Sequence, residues 1–336
     1  MKILILGGTV FLGRYLVERA LQAGHELTLF NRGQQNADLF PQVEKLRGDR
    51  DGDVSALQGR QFDAVIDTCG YRPAQIRRIA AVLDQALPYY LFISTISVYG
   101  TFPPVQDQTQ GYDETRPLAA GESDYGSCKA RCEEAAEAAW PGRVAQVRPG
   151  LIVGPHDVSE RFPYWPRRVA QGGPLLAPGQ PDSAVQWIDV RDLANWCIHL
   201  CEQGITGQFN AIGPVGRTSF ADLLARCKAV THSDAAPIWI DDATLLAQGV
   251  APWTELPLWI PQQDGESGGM MRASNQRALA SGLSLRLLDE TIADTLAWDN
   301  SRTRPLPDHP KAVKTMLPER EAALLALSAA FAPKTQ

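Results

Sequence analysis

Tyr125 and Lys129, in the stretch DYGSCKA, have types and a spacing that suit acid–base chemistry. The surrounding pattern predicts a helix over 125–139, and residues four apart on a helix share one face. An ammonium near a phenol favours the phenolate and lowers the pKa of the phenol from about 10 towards neutrality. Tyr125 is therefore predicted to act as a general acid or base.

The stretch GGTVFLG, from Gly7 to Gly13, follows the apolar run ILIL at the start of the chain. A strand, a glycine turn and a helix N-terminus bind pyrophosphate because bare backbone exposes its N–H groups and the helix end is positive. Val10 stands where a further glycine is usual, so a tight turn with close helix packing is the alternative. The dinucleotide contacts predicted here are Gly7, Gly8, Thr9, Phe11, Leu12 and Gly13.

The stretch LFNRG bears on which dinucleotide is bound. An acidic side chain at the end of the second strand would bind the ribose of NAD, whereas an arginine suits the 2′-phosphate of NADP. Asn31 and Arg32 stand there with no carboxylate beside them. This favours NADP over NAD, although Arg32 could equally be a solvated loop charge.

Short apolar runs alternate with helical patterns through the first 150 residues. Strands are predicted at 3–6, 26–30, 64–67, 89–94 and 143–148, with another ending at Leu46, and a helix is predicted over 73–87. Strands that are apolar on both faces and separated by helices indicate a parallel sheet covered on both sides. The predicted fold class is α/β, a doubly wound Rossmann-type sheet.

Regularity decreases after Gly150, where short strands such as AVQWI and GQFNAI alternate with helices and long loops. We predict a dinucleotide-binding domain over 1–155, to which 184–213 also contributes. Residues 156–336 would form mainly a smaller, mixed α/β substrate domain. Amphipathic patterns predict closing helices over 287–298 and 318–331.

Composition limits the kind of partner. The chain has 336 residues, a formal net charge of -6 and 44% apolar residues. An acidic balance opposes an electrostatic grip on nucleic acid or an anionic membrane, so a small-molecule substrate is favoured. The apolar run after Met1 is too short for a signal peptide or a membrane span, and a cytoplasmic location is expected.

The six cysteines are scattered, which favours thiols over disulfides. Cys197, His199 and Cys201 have metal-like types, but on a helix His199 would point away from the two cysteines. No metal site is therefore predicted.

Several motifs in chain order resemble the extended short-chain dehydrogenase/reductase family, which contains epimerases, dehydratases and reductases of nucleotide sugars. They are the glycine turn, FDAVIDTCG, FISTISVYG, YGSCK, VRPGLIVGP and WIDVRDLA. The resemblance covers residues 1 to about 215, and LLDETIADTLAW near the end resembles the closing helix of the family.

The resemblance implies a catalytic triad of Thr95, Tyr125 and Lys129, with Ser94 and Thr95 beside the substrate. Lys129 would also bind the nicotinamide ribose, and Asp49 in RGDRD would contact adenine. The residues after the fourth strand, Thr68, Cys69 and Gly70, are also expected at the cofactor.

The residues after Thr95 bear on the reaction. Dehydratases of this family carry an acidic pair after the catalytic hydroxyl, whereas Ile96 and Ser97 follow here, so dehydration is disfavoured. Epimerisation and ketone reduction remain, because each needs a hydride and a tyrosine proton relay. The expected substrate is a sugar or nucleotide sugar.

The segment GPHDVSERFPYWPRRVAQGG combines arginines with aromatic residues, which suits a nucleotide diphosphate. Its predicted substrate contacts are His156, Arg161, Trp165 and Arg168, and the alternative is a segment that buries its aromatic residues in the core. The resemblance also makes a homodimer possible.

The GGT-x-F form of the opening turn also resembles chloroplast stem-loop RNA-binding proteins. An NADP-binding protein without catalysis, or one that binds RNA, is therefore the alternative function. The acidic charge and the complete tyrosine–lysine pair argue for the enzyme.

Overall fold

The structure is a computed structural model that describes residues 1–102, 111–116, 118–121, 123–214, 216, 218–262, 264–265, 267–303, 309 and 311–331.

A seven-stranded parallel sheet forms the centre of the first part of the chain, in the order β10-β6-β5-β4-β1-β2-β3. Its strands are β1 (Lys2–Leu6), β2 (Glu26–Asn31), β3 (Glu44–Arg47), β4 (Ala64–Asp67), β5 (Tyr90–Ile93), β6 (Val144–Pro149) and β10 (Gly207–Ala211). The order reverses direction between β1 and β4. In such sheets ligands bind at this reversal, outside the carboxyl ends of the strands.

Helices cover both faces of this sheet. One face packs against α1 (Leu12–Gln22) and α5 (Val190–Gln203), and the other against α2 (Pro73–Ala80) and α3 (Tyr125–Ala139). The central strands are fully buried because both their faces meet a helix layer. The predicted doubly wound α/β fold class is confirmed.

The second core lies around Trp165 and Phe220, whose rings meet edge to face with centroids 4.9 Å apart. Two parallel strand pairs belong to this part of the chain: β7 (Leu151–Val153) with β9 (Trp187–Asp189), and β8 (Pro174–Pro178) with β11 (Ala236–Ile240). Its helices are α4 (Arg161–Ala170), α6 (Phe220–Thr231), α7 (Asp242–Ala247), α9 (Leu288–Asn300) and α10 (Pro318–Phe331), whereas α8 (Gln276–Ala280) packs with β10 in the first core.

The sequence prediction of a helix over 73–87 was too long, because α2 ends at Ala80. Leu83 and Leu87 are still buried in the same core as α2. They reach it from turns, in which the Leu87 N–H donates to the carbonyl oxygen of Asp84 at 3.0 Å. The apolar spacing therefore continued beyond the helix itself.

Within the described part of the chain, no helix combines the length and the apolar character that crossing a bilayer requires.

Candidate active site

A cavity of about 1000 Å³ opens at the carboxyl ends of the central strands. It reaches from the turn after β1 to the start of α3. Most of the predicted cofactor and reaction residues line it, namely Gly7, Gly8, Thr9, Phe11, Leu12, Gly13, Asn31, Arg32, Asp49, Thr68, Cys69, Ser94, Thr95, Tyr125 and Lys129.

The glycine turn lies at one end of the cavity, and its backbone needs these glycines. Gly7 and Gly8 have φ of 108° and 93°, a region that favours glycine. A Cβ on Gly13 would lie 2.8 Å from the Cα of Gly8, so the start of α1 could not approach the turn as closely. Val10 is accommodated on the cavity wall, where its carbonyl oxygen accepts from Gly13 N at 3.0 Å.

The N-terminus of α1, which is fully described, carries no side-chain cap and no acidic residue in its first turn. The N–H groups of Gly13 and Arg14 donate to Val10 O and Phe11 O at 3.0 Å, and the aligned peptide dipoles leave partial positive charge at this end of α1. Leu12 and Gly13 at this end line the cavity, where the positive charge favours a phosphate group. The turn therefore fits the diphosphate of a dinucleotide.

Asn31 fixes the loop beside the glycine turn. Its Nδ2 donates to Gly7 O at 2.8 Å, and its Oδ1 accepts from Gly33 N at 2.9 Å and from the guanidinium of Arg47. Arg32 is exposed and lines the cavity. The structure thus gives Asn31 a loop-ordering role and leaves Arg32 as a cation that a ligand can reach.

Arg50 and Asp67 form a buried ion pair under the cavity, which sequence reasoning missed. The guanidinium donates to both carboxylate oxygens at 2.6 and 2.7 Å, and Tyr90 OH donates to the same carboxylate at 2.6 Å. Burial alone would raise the pKa of Asp67, but the charge and hydrogen bonds of Arg50 outweigh burial and hold it below its ordinary value. The pair joins the loops after β3 and β4.

Asp49, the predicted adenine contact, lines the cavity at this loop. Its Oδ1 accepts from Asp51 N at 2.9 Å, and its own N–H donates to Asp53 O at 2.8 Å. The carboxylate thus stabilises the turn that presents it, and its contact with adenine stays a prediction.

Tyr125 is the first residue of α3, and its side chain is brought to the cavity by close helix packing. Asp124 caps the helix by accepting from Ser127 N at 3.0 Å. A Cβ on Gly126 would lie only 2.0 Å from the carbonyl oxygen of Ser97, so α3 can lie against the turn after β5 only with glycine there. This contact places Tyr125 next to Thr95.

The Tyr125 side chain is 54% exposed, but the protein atoms around its phenol exclude enough water to raise its pKa above the ordinary value, and the neighbouring Tyr71 adds to this rise. The Thr95 hydroxyl, through hydrogen bonding, and the charge of Arg161 oppose this rise. Thr95 Oγ1 also accepts from Ser97 N at 3.1 Å, which fixes its rotamer. Thr95 and Tyr125 therefore form a hydroxyl–phenol pair on the cavity wall.

Lys129 does not bring the pKa of Tyr125 towards neutrality, contrary to the sequence argument, because the pKa of the phenol is raised overall. Its ammonium is buried and donates to the backbone oxygens of Gly70 at 2.6 Å and Ile93 at 2.7 Å. Burial lowers the pKa of Lys129 to about 8. Gly70 itself does not line the cavity, so its contribution is this carbonyl bond.

Two predicted substrate residues lie elsewhere, and these predictions need correction. Trp165 is fully buried and its Nε1 donates to Pro257 O at 2.8 Å. Arg168 pairs with Glu321 of α10 at 2.7 Å. Both therefore hold α4 in the second core, because the indole N–H of Trp165 and the guanidinium of Arg168 have their partners there.

Arg161 and His156 also lie outside the cavity lining, but nearer to it. Arg161 is close enough to Tyr125 for each charge to shift the pKa of the other. His156 has its ring between those of Tyr15 and Trp298, with centroids 6.0 and 5.6 Å away. Burial, with the charge of Arg14, lowers the pKa of His156. Arg161 stays a substrate candidate, whereas His156 packs between elements.

Sequence reasoning missed several other residues that line the cavity, among them Tyr71, Ser123, His309 and Lys311. Tyr71 directly follows the predicted Gly70, so its position along the chain was a usable signal. His309 and Lys311 come from a distant part of the chain, and no local pattern connects them with this cavity.

Within the described ranges, no group of three or more histidine, cysteine or acidic side chains could hold a metal ion. Cys197 and Cys201 are buried in the core on one side of α5.

Known proteins resemble this chain to different extents. It is 34% identical over 114 residues to the chloroplast stem-loop binding protein of 41 kDa b from Arabidopsis thaliana, a match that covers 29% of this chain and 30% of that relative. It is 27% identical over 272 residues to the epimerase family protein SDR39U1 from Bos taurus, over 74% of this chain and 86% of that protein.

Solved structures share the fold. Human SDR39U1 (isoform 2) with NADPH superimposes with a TM-score of 0.62 and 20% identity, over 88% of this chain and 99% of that one. UDP-glucuronic acid 4-epimerase from Bacillus cereus in complex with NAD gives 0.64 and 16%, over 89% and 99%.

The sequence profile of the NAD dependent epimerase/dehydratase family matches residues 3–213. This range includes the seven-stranded sheet, the glycine turn and the Thr95–Tyr125–Lys129 set. The chain belongs to the NAD dependent epimerase/dehydratase family.

Proposed function

We propose that this protein is an NAD(P)-dependent epimerase or reductase that acts on a hydroxyl or ketone of a sugar or nucleotide sugar. The observation that carries the proposal is the position of Thr95, Tyr125 and Lys129 on the wall of the same cavity as the glycine turn. A dinucleotide with its diphosphate at that turn extends along the strand ends towards these three residues.

Each of the three residues has a distinct task. Tyr125 moves the proton at its phenol oxygen, taking it from a substrate hydroxyl or giving it to a substrate ketone. Thr95 orients the same substrate oxygen. Lys129 is fixed at the cavity wall by its two backbone bonds and places a positive charge there. A bound nicotinamide supplies the hydride acceptor or donor.

We further propose that NADP(H) is preferred over NAD(H). Arg32 supports this preference because it is an exposed guanidinium on the cavity wall, where the second strand ends. Arginine binds phosphate through paired hydrogen bonds. The two related structures were solved with NADPH and with NAD, so relatives use both cofactors.

The first experiment is calorimetric titration of the purified protein with NADPH and NADH, together with the absorbance spectrum of freshly purified protein. Tight binding of NADPH without retained nicotinamide would identify a reductase that exchanges its cofactor at each turnover. A retained dinucleotide would identify an epimerase. Binding of neither would overturn the proposal and favour a non-catalytic or RNA-binding role.

A further inference from the structure

Tyr71 and Tyr125 share an unusual exposure. They are 42% and 54% exposed, and every other phenylalanine, tyrosine or tryptophan whose burial the structure describes is buried or half-buried. Both line the same cavity. Large aromatic side chains are normally buried, so two left open in one cavity indicate a surface that a ligand covers.

The backbone of Tyr71 is held firmly at the start of α2. Gln75 Oε1 accepts from Tyr71 N at 2.8 Å and from Arg72 N at 3.1 Å. The other end of this side chain, Gln75 Nε2, donates to Asp51 at 2.9 Å. A ring presented from a fixed backbone loses little entropy when a ligand stacks on it.

The Tyr71 ring is close to the reaction residues. Its centroid lies 5.5 Å from Lys129 Nζ, and an ionised Tyr71 raises the pKa of Tyr125. Ser123, two residues before Tyr125 in the sequence, also lines the cavity and carries a hydroxyl group. Aromatic faces suit the C–H face of a sugar ring, and hydroxyl groups suit its oxygens.

We propose that Tyr71 is a substrate-contacting residue, which together with Tyr125 forms the two aromatic walls of a slot for the sugar ring. The inference rests on the proposed function and gives the substrate class a physical basis.

The test is calorimetric titration of the protein, saturated with its preferred dinucleotide, with UDP-glucose and with UDP-glucuronic acid. Tyr71→Ala removes the ring, and we expect about a ten-fold rise in the Kd of the sugar nucleotide that binds. Tyr71→Phe keeps the ring and should stay within about three-fold of the unsubstituted protein. Neither variant should change the Kd of the dinucleotide.

Tyr89→Phe is the matched control. It removes a phenol hydroxyl that donates to Ile205 O at 2.7 Å, away from the cavity, and should leave both Kd values unchanged. Thermal unfolding of each variant checks that the fold is kept. We expect the Tyr71 variants to keep it, because this side chain is exposed.

The outcomes separate this inference from the proposed function. Tyr71→Ala with unchanged sugar-nucleotide binding, or with only the dinucleotide weakened, overturns the slot and leaves the proposed function in place. If Tyr71→Ala weakens sugar-nucleotide binding but Tyr125→Phe still turns over substrate, the proposed mechanism is overturned and the slot is supported. If neither sugar nucleotide binds the unsubstituted protein, the slot for a sugar ring is overturned.

Discussion

The ammonium of Lys129 donates a 2.7 Å hydrogen bond to the carbonyl oxygen of Ile93, the last residue of β5. With Gly70 O as its second acceptor at 2.6 Å, the ammonium is held by two backbone carbonyl groups at the cavity wall. Tyr125, whose pKa is raised chiefly because protein atoms exclude water from its phenol, is therefore protonated at neutral pH. The phenol is thus prepared to donate a proton.

Replacing Tyr125 with Phe should abolish turnover while leaving dinucleotide binding nearly unchanged. The ring still packs, but no proton can be relayed, and loss of a general acid costs about 10²- to 10⁴-fold in kcat. Steady-state kinetics and calorimetry measure the two quantities. Tyr89→Phe is the control, because it loses a phenol hydroxyl outside the cavity. Persistent turnover in Tyr125→Phe would show that another group moves the proton.

Replacing Arg32 with Ala should weaken NADPH binding about ten-fold and leave NADH binding unchanged, because only NADPH carries the 2′-phosphate. Arg77 is the control, since it is also exposed but lies on α2 and does not line the cavity. Calorimetry of each variant with NADPH and with NADH gives the Kd values that test this prediction. An equal loss for NADPH and NADH would mean that Arg32 contacts a part that the cofactors share.

Replacing Gly126 with Ala should both destabilise the protein and reduce kcat. The new Cβ would lie 2.0 Å from Ser97 O, so α3 must move and Tyr125 must leave Thr95. We expect a loss of about 1–3 kcal/mol in the free energy of unfolding and about 10²-fold in kcat. At Gly265 a Cβ would meet no atom of the described residues within 4 Å, so Gly265→Ala is the control. Full activity in Gly126→Ala would mean that this contact does not position Tyr125.

The doubly wound half of the fold could be predicted because its signals are local. Each central strand is an apolar run and each helix has a periodic face, so the alternation is visible in the sequence. α3 begins at Tyr125 and ends at Ala139, as the sequence indicated, and Asp124 supplies the cap. The end of α2 was missed because Leu83 and Leu87 keep the apolar spacing while the chain turns.

The parts of the site that could not be predicted depend on contacts between distant residues. Only the structure places Lys129 against Gly70 and Ile93, and this changes the expected effect on Tyr125. Trp165 has a type suited to ligand binding, but its environment is decided by α6 and by Pro257, far along the chain. Residue type and spacing therefore predicted the reacting groups better than their electrostatic environment.

Replacing Asp157 with Asn should stabilise the protein at pH 7.5 and have no effect near pH 4. Asp157 is 2% exposed, and its Oδ2 has no hydrogen-bond partner in the described part of the chain. Burial raises its pKa to about 6, whereas in the unfolded chain the pKa is about 4. The folded state therefore binds the proton more tightly, and this contribution to stability is present below pH 4 and is lost as the pH rises through 6.

At pH 7.5 the ionised Asp157 lowers the free energy of unfolding by up to about 3 kcal/mol, the equivalent of a shift of about two pKa units. Asp157→Asn cannot ionise, so we expect it to gain this amount. Asn keeps an acceptor for Ser159 N, which donates to Asp157 Oδ1 at 2.8 Å. Denaturant titrations at pH 4, 5, 6 and 7.5 measure the difference, and the exposed Asp182→Asn is the control. A gain that is the same at every pH would show that the effect comes from packing and not from the ionisation of Asp157.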